Sequence, residues 1–154
     1  MPVTGIKVDG KMKKPINVLV IDDNEYYNKL LSDAIQQSAS SALHDKKYKL
    51  VLHSFTDAGE YIKQIKSGEL RCEDSIMFVD YYLGRGINGA HIIKLMKESS
   101  CDTVIVLLSQ SNAVKDKNNL INYDYFVVKD NLAPALCCLY LKQFIENKYS
   151  ISLD

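Results

Sequence analysis

Five short apolar runs constrain this chain more than anything else in it: Ile16–Ile21, Lys49–His53, Ile76–Val79, Val104–Leu108 and Tyr125–Val128. Each is rich in Val, Ile or Leu and continuous rather than alternating, which is how strands buried on both faces look. Between them lie segments with helical spacing. Tyr27, Leu30, Leu31, Ala34 and Ile35 recur on one face, as do Ala58, Tyr61, Ile62 and Ile65. Asp57 with Glu60 three residues later reads as a capping box for this second helix. Ile92, Ile93, Leu95 and Met96 mark a third helix beginning near Asn88. A fourth, Ser111–Leu120, is polar and Asn-rich, and a fifth starts near Asn131 with Pro134 in its first turn. Along the fifth, Leu132, Leu136, Leu139 and Tyr140 form one stripe. Cys137, Leu141 and Phe144 form a second, which either completes the core face or meets a partner.

Strand and helix alternating five times predict an α/β fold: a doubly wound, five-stranded parallel sheet with helices on both faces. The expected organisation is a flexible leader over residues 1–15, one domain over 16–148 and a short tail over 149–154, with Ser38–Ser41 in a long connection before the second strand. The chain has 154 residues, 47% of them hydrophobic, enough for one sizeable core. Lys+Arg and Asp+Glu are both 19, so the formal charge is zero and a general electrostatic grip on nucleic acid or an anionic membrane is not expected. No apolar run approaches the roughly 20 residues of a membrane span. Cys72, Cys101, Cys137 and Cys138 contain no C-x-x-C pair, and the three histidines share no ligand spacing. Four buried thiols in a reducing cytoplasm are the expectation.

In such folds the site lies beyond the carboxyl ends of the strands. The first strand runs out into Asp22-Asp23, the third into Asp80, the fourth into Ser109 and the fifth into Lys129. Singly each has a plain structural role, as a helix cap or a solvated charge. Jointly they put carboxylates, a hydroxyl and an ammonium on one edge. Carboxylates a few Å apart repel by roughly 2–4 kcal/mol at an effective dielectric near 20. A hard divalent cation such as Mg²⁺ removes that cost, and Mg²⁺ beside a carboxylate nucleophile suits phosphoryl uptake.

This constellation resembles the receiver domain of two-component response regulators, over about residues 16–147. The resemblance rests on Val18-Leu19-Val20-Ile21-Asp22-Asp23, Phe78-Val79-Asp80-Tyr81-Tyr82-Leu83, Val106-Leu107-Leu108-Ser109 and Phe126-Val127-Val128-Lys129. It implies that Asp80 is the phosphoacceptor, that Asp23 binds Mg²⁺ directly and Asp22 largely through water, and that Tyr82 offers its backbone carbonyl to the metal. Ser109 and Lys129 would contact the phosphoryl oxygens, and Phe126 would be the aromatic switch. A sensor histidine kinase or histidine phosphotransfer protein would be the donor and a downstream protein the target. A homodimer through the fourth helix, fifth strand and fifth helix, with the Cys137, Leu141 and Phe144 stripe adjoining, is a further implication. The chain has no room for an output domain, so it either acts by direct contact or is cut from a longer protein.

Some positions depart from the family pattern. Gln110 stands where a small residue is usual and Asp130 where proline is usual; the Lys129–Asp130 bond is therefore expected to be trans. The loop from Asp80 to Gly89 is one residue longer than the commonest spacing, and Asn122-Tyr123-Asp124 replaces a small-residue turn. Bulk at Gln110 and Tyr82 predicts slow loss of the phosphoryl group. Gly84-Arg85-Gly86-Ile87-Asn88-Gly89 matches G-x-G-x-x-G but follows the third strand, where a dinucleotide fold would need it after the first. His91 reads as a solvated histidine. Two other functions remain open at this point. An aspartyl-nucleophile phosphohydrolase would want an acid two residues after Asp80, where Tyr82 stands. A degenerate receiver acting only as a binding module would not need all five polar positions.

Overall fold

The structure is a computed structural model that describes residues 6–8, 11–71, 73–84, 86–99, 101–111 and 122–153. Its strands are β1 (Ile6–Val8), β2 (Lys11–Ile21), β3 (Tyr48–Phe55), β4 (Ser75–Asp80), β5 (Thr103–Ser109) and β6 (Tyr125–Val128). Its helices are α1 (Glu25–Ala42), α2 (Ala58–Ser67), α3 (Gly89–Glu98) and α4 (Ala133–Tyr149). Five strands form a parallel sheet in the order β3-β2-β4-β5-β6. The fourth helix expected from the sequence falls on residues 112–120 apart from Ser111, outside the described residues. α4 is the expected fifth.

The continuous apolar runs are explained by burial on both sides. Along β2, Ile16, Val18 and Val20 face one core with Leu31, Ile35 and Ala39 of α1 and Cys137, Leu141 and Ile145 of α4. Leu19 and Ile21 face the other core, with Tyr61 of α2 and Ile92, Ile93 and Met96 of α3. All six residues of β4 are buried, as befits the middle strand. Asp57 caps α2 by accepting from the Gly59 N–H at 2.8 Å, and Gly68 ends it in the left-handed region at φ 82°. Asn88 caps α3 in a reciprocal box with His91, whose Nδ1 accepts from the Asn88 N–H at 3.0 Å. The exposed histidine read as merely solvated is thus half of a cap.

Several boundaries are corrected. Residues 1–15 are not a flexible leader throughout: β2 begins at Lys11, Lys14 and Pro15 pair with Tyr48 and Lys49, and Ile6–Val8 folds back antiparallel onto Lys11–Lys13. Ser38–Ser41 belongs to α1, because Ala39 is buried and Leu43 beyond it packs on the same core, so the helix gains by continuing. The tail is not detached either. Leu153 is buried, and its N–H donates to Glu146 at 3.0 Å. Cys101 is disulfide-bonded, whereas Cys137 is a buried free thiol and Cys138 a half-buried one. Sequence spacing carries no information on which thiols meet in space, which is why the reading of four buried thiols fails at Cys101.

Of the two readings of the second stripe of α4, the core one holds and the partner one does not. Cys137, Leu141 and Phe144 are core residues, while Leu132 and Leu139 of the other stripe are exposed. A helix laid on a sheet face buries only one stripe, and packing against α1 selects which. Among the described residues no helix is long and apolar enough to cross a membrane. Leu141→Ala is expected to lower the unfolding free energy by about 2–4 kcal/mol in urea denaturation, the cost of a core cavity; a residue kept for an interface would leave it nearly unchanged.

Candidate functional site

The register of the sheet builds the site. Ile21 pairs with both Phe55 and Val79, Asp80 with Leu108, and Ser109 with Val128. Asp22, Asp80, Ser109 and Lys129 therefore leave their strands at nearly one level. Backbone bonds carry the ladder one step further: Asp22 N–H donates to Phe55 O at 3.0 Å, Tyr81 N–H to Leu108 O at 2.8 Å, and Lys129 N–H to Ser109 O at 2.8 Å. The Lys129–Asp130 bond is trans, as expected.

The side chains converge as the register implies. Carboxylate oxygens of Asp22, Asp23 and Asp80 lie within 4.8 Å of one another; Asp22 and Asp80 are buried and Asp23 is exposed. Lys129 Nζ sits 2.7 Å from Asp22 Oδ2 and 3.6 Å from Asp80 Oδ1, on a side chain only 5% exposed. One ammonium against three carboxylates leaves excess negative charge in a poorly solvated place. Burial above all, then the charge of Asp22, pushes the Asp80 carboxyl up to about 7 against the opposing pull of Lys129. Three converging carboxylates fit a hard divalent cation, and a cleft lined by Thr56, Asp57, Leu83 and Gly84 lies beside Asp23.

Other residues hold this geometry. Asn28 is buried in α1, and its Nδ2 donates to Asp22 O at 3.1 Å and Phe55 O at 2.9 Å, tying the ends of β2 and β3 together. Its Oδ1 accepts from the hydroxyls of Ser32 and Ser54. Asn24 caps α1, and its N–H donates to Asp22 Oδ1 at 2.9 Å. Gly89 must be glycine: an added Cβ would stand 2.9 Å from both Asp80 O and Leu107 Cδ1. At Gly84, with φ 74°, it would stand 3.2 Å from Asp23 Oδ2. The first glycine of the G-x-G-x-x-G match thus approaches the Asp23 carboxylate and the last the Asp80 carbonyl, while Tyr82 and Asn88 form an antiparallel bridge.

Ser109 is fully buried, and its Oγ accepts from the Ser111 N–H at 3.3 Å. Phe126 is half-buried beside Tyr123, with ring centroids 5.9 Å apart. Tyr82 is 59% exposed and stacks edge-on with Tyr81. Gln110 is exposed at the rim.

The fold is similar to that of solved structures. The Francisella response regulator 1452 receiver domain superposes with a TM-score of 0.64 at 13% identity, covering 86% of this chain and 98% of that one. Response regulator protein TrrA from Thermotoga maritima, in complex with Mg²⁺-BeF, gives 0.63 at 19% identity over 84% and 98%. DrrB, an OmpR/PhoB homologue from Thermotoga maritima, gives 0.63 at 19% identity over 86% of this chain and 54% of that one, so the chain spans about half of DrrB. The chain has the receiver fold of response regulators. No family model matches the sequence, and no curated protein does.

Within the receiver fold, the sequence-derived set Asp22, Asp23, Asp80, Ser109 and Lys129 gathers at one edge. Sequence reading missed Asn28 and Tyr27. Asn28 left a signal, a polar residue at a position helical spacing assigns to the core side. Tyr27 left none, since an aromatic there reads as core. Its ring lies under Lys129 Nζ, 4.2 Å from the centroid, and burial first, then Cys137 and Asp22, holds its phenol well above the usual range.

The raised Asp80 carboxyl has a testable sign. A folded-state pKa above the unfolded value means that the native state binds more protons between about pH 4 and pH 7, so stability falls as pH rises through that window. In metal-free buffer, Asp80→Asn is expected to be more stable than wild type at pH 8, by on the order of 2–4 kcal/mol. The two should converge near pH 4. Urea denaturation at both pH values checks this.

Proposed function

We propose that this chain is the phosphoacceptor of a two-component phosphorelay, taking a phosphoryl group on Asp80 and signalling through a conformational switch. The supporting observation is the placement of Asp80 at the exit of the central strand, between the carboxylates of Asp22 and Asp23 and the ammonium of Lys129. The donor is the phosphohistidine of a sensor histidine kinase or a histidine phosphotransfer protein.

In the transfer, Asp80 Oδ attacks phosphorus and the P–O bond of an acyl phosphate forms. The P–N bond to the donor imidazole breaks, its electron pair stays on nitrogen, and that nitrogen is reprotonated from solvent. Asp22, Asp23 and Asp80, with the Tyr82 carbonyl, would hold Mg²⁺, whose chemistry there is to neutralise the carboxylates and the phosphoryl oxygens. Lys129 shifts from Asp22 toward the phosphoryl oxygens. Ser109, whose Oγ accepts from Ser111, keeps its own O–H for donation to another. Movement of Ser109 frees space for the half-buried Phe126, and the phosphorylated state is selected because it binds the phosphoryl group better.

The chain on this reading assists its own phosphorylation and dephosphorylation and is not a turnover enzyme. Its output is contact with a downstream protein, or a homodimer through the segment before β6, β6 itself and α4. The exposed Leu132 and Leu139, not the buried Cys137 stripe, would then meet the partner. The reading includes a cytoplasmic location, in which the Cys101 disulfide would stand against a reducing thiol pool.

Incubation with a small phosphodonor and Mg²⁺ is expected to add one phosphoryl group per chain, seen by intact mass, and none in Asp80→Asn or in the presence of a chelator. Uptake by Asp80→Asn under the same conditions would sink the assignment. Decay of the product should quicken in Gln110→Ala and Tyr82→Asn, which open the rim to water. An unchanged half-life in both would end the steric account.

A further inference from the structure

Lys129 has a third neighbour besides its two carboxylates. Its ammonium lies over the face of the Tyr27 ring, 4.2 Å from the centroid. The ring is tethered to the site at its base. Tyr27 N–H donates to Asn24 Oδ1 at 3.0 Å, and Asn24 N–H donates to Asp22 Oδ1 at 2.9 Å, so ring and metal-side carboxylate are held in one frame. The far end of the ring does nothing comparable: Tyr27 Oη is buried and has no hydrogen-bond partner among the described residues. A hydroxyl left unpaired in the interior destabilises the fold. The contact that uses this side chain at the site is therefore the ring face, not the phenol.

We propose that Tyr27 is a positioning residue for Lys129, its ring face holding the ammonium where it can pass from Asp22 to a phosphoryl group on Asp80. This rests on the phosphoacceptor reading. The reason is geometric. At 2.7 Å from Asp22 Oδ2 and 3.6 Å from Asp80 Oδ1, the ammonium is committed to the wrong carboxylate for transfer. Drawing it away from Asp22 exposes a buried cation to loss of its partner. A ring face attracts a cation through its quadrupole without a fixed lone-pair direction, so the ammonium keeps a partner while it turns. Among the described residues the ammonium meets Asp22, Asp80 and this ring, and an aliphatic side chain in the ring's place would supply only bulk.

The test uses the full chain with Mg²⁺ and phosphoramidate at varied concentration, read by intact mass. Tyr27→Leu is expected to lower the maximal rate of Asp80 phosphorylation about 3- to 30-fold, with little change in half-saturating phosphoramidate. Tyr27→Phe is the rescue: it keeps the ring, retains most of the rate, and raises the thermal midpoint because the unpaired hydroxyl is gone. In a Lys129→Ala background, Tyr27→Leu should cost nothing further, which a merely structural role would not predict. A Tyr27→Leu rate equal to wild type, an equal loss in Tyr27→Phe, or an undiminished loss in the Lys129→Ala background each overturns the inference. Should the double variant fail to fold, the Lys129 Hε resonances decide. They are expected upfield in wild type and Tyr27→Phe and normal in Tyr27→Leu; normal positions in wild type overturn the contact. A wild-type chain that gains no phosphate on Asp80 overturns the phosphoacceptor reading and the kinetic role with it, while the Lys129 resonances still report the ring contact separately.

Discussion

Burial of the sheet on both faces is the constraint from which the rest of this molecule follows. β2, β4 and β5 carry apolar side chains alternately into two cores, one under α1 and α4 and one under α2 and α3. No polar group can sit along these strands without a desolvation cost, so the chemistry-bearing residues are displaced to the strand exits. The parallel register then makes those exits coincide. A slip of one residue in any strand would exchange the two cores as well as move an exit, so packing and site geometry are enforced together.

Charge concentrated at that edge carries its own cost. Asp22 and Asp80 are buried close together with one ammonium between them, and the strain shows in the raised carboxyl of Asp80. Such a cluster costs desolvation free energy, and this edge is therefore the candidate site of the fold. Asn28 and Asn24 hold the pieces in place without adding charge, through bonds to the Asp22 carbonyl and carboxylate. Tyr27 completes the surround of Lys129 with an uncharged partner.

Much of this was legible in the chain because it depends on short-range pattern. The apolar runs mark the five parallel strands, with ends differing by a few residues. Asp57 caps the second helix, though through the Gly59 N–H and not as a box with Glu60, and the third helix begins next to Asn88 as the sequence puts it. The reading failed where distant segments decide. Pro15 does not stop β2, because Lys49 pairs beside it and the strand runs back to Lys11. Ser38–Ser41 stays helical because Ala39 and Leu43 have a core to pack on. Which stripe of α4 is inward depends on α1, and the Cys101 disulfide depends on a proximity that no spacing rule encodes.

The sequence by itself determined the fold class and the set of polar residues at the strand exits, since both follow from local periodicity and from where each apolar run stops. Only the tertiary structure decided how those residues meet. That Lys129 rests on Asp22 rather than Asp80, that Asn28 ties β2 to β3, and that Tyr27 lies beneath the ammonium are facts of helix placement. α1 and α4 find their seats on the sheet by packing, and packing is a property of all the facing side chains at once. No window of sequence contains it, because the contacts that set it join residues about a hundred positions apart, as Asp22 and Lys129 are.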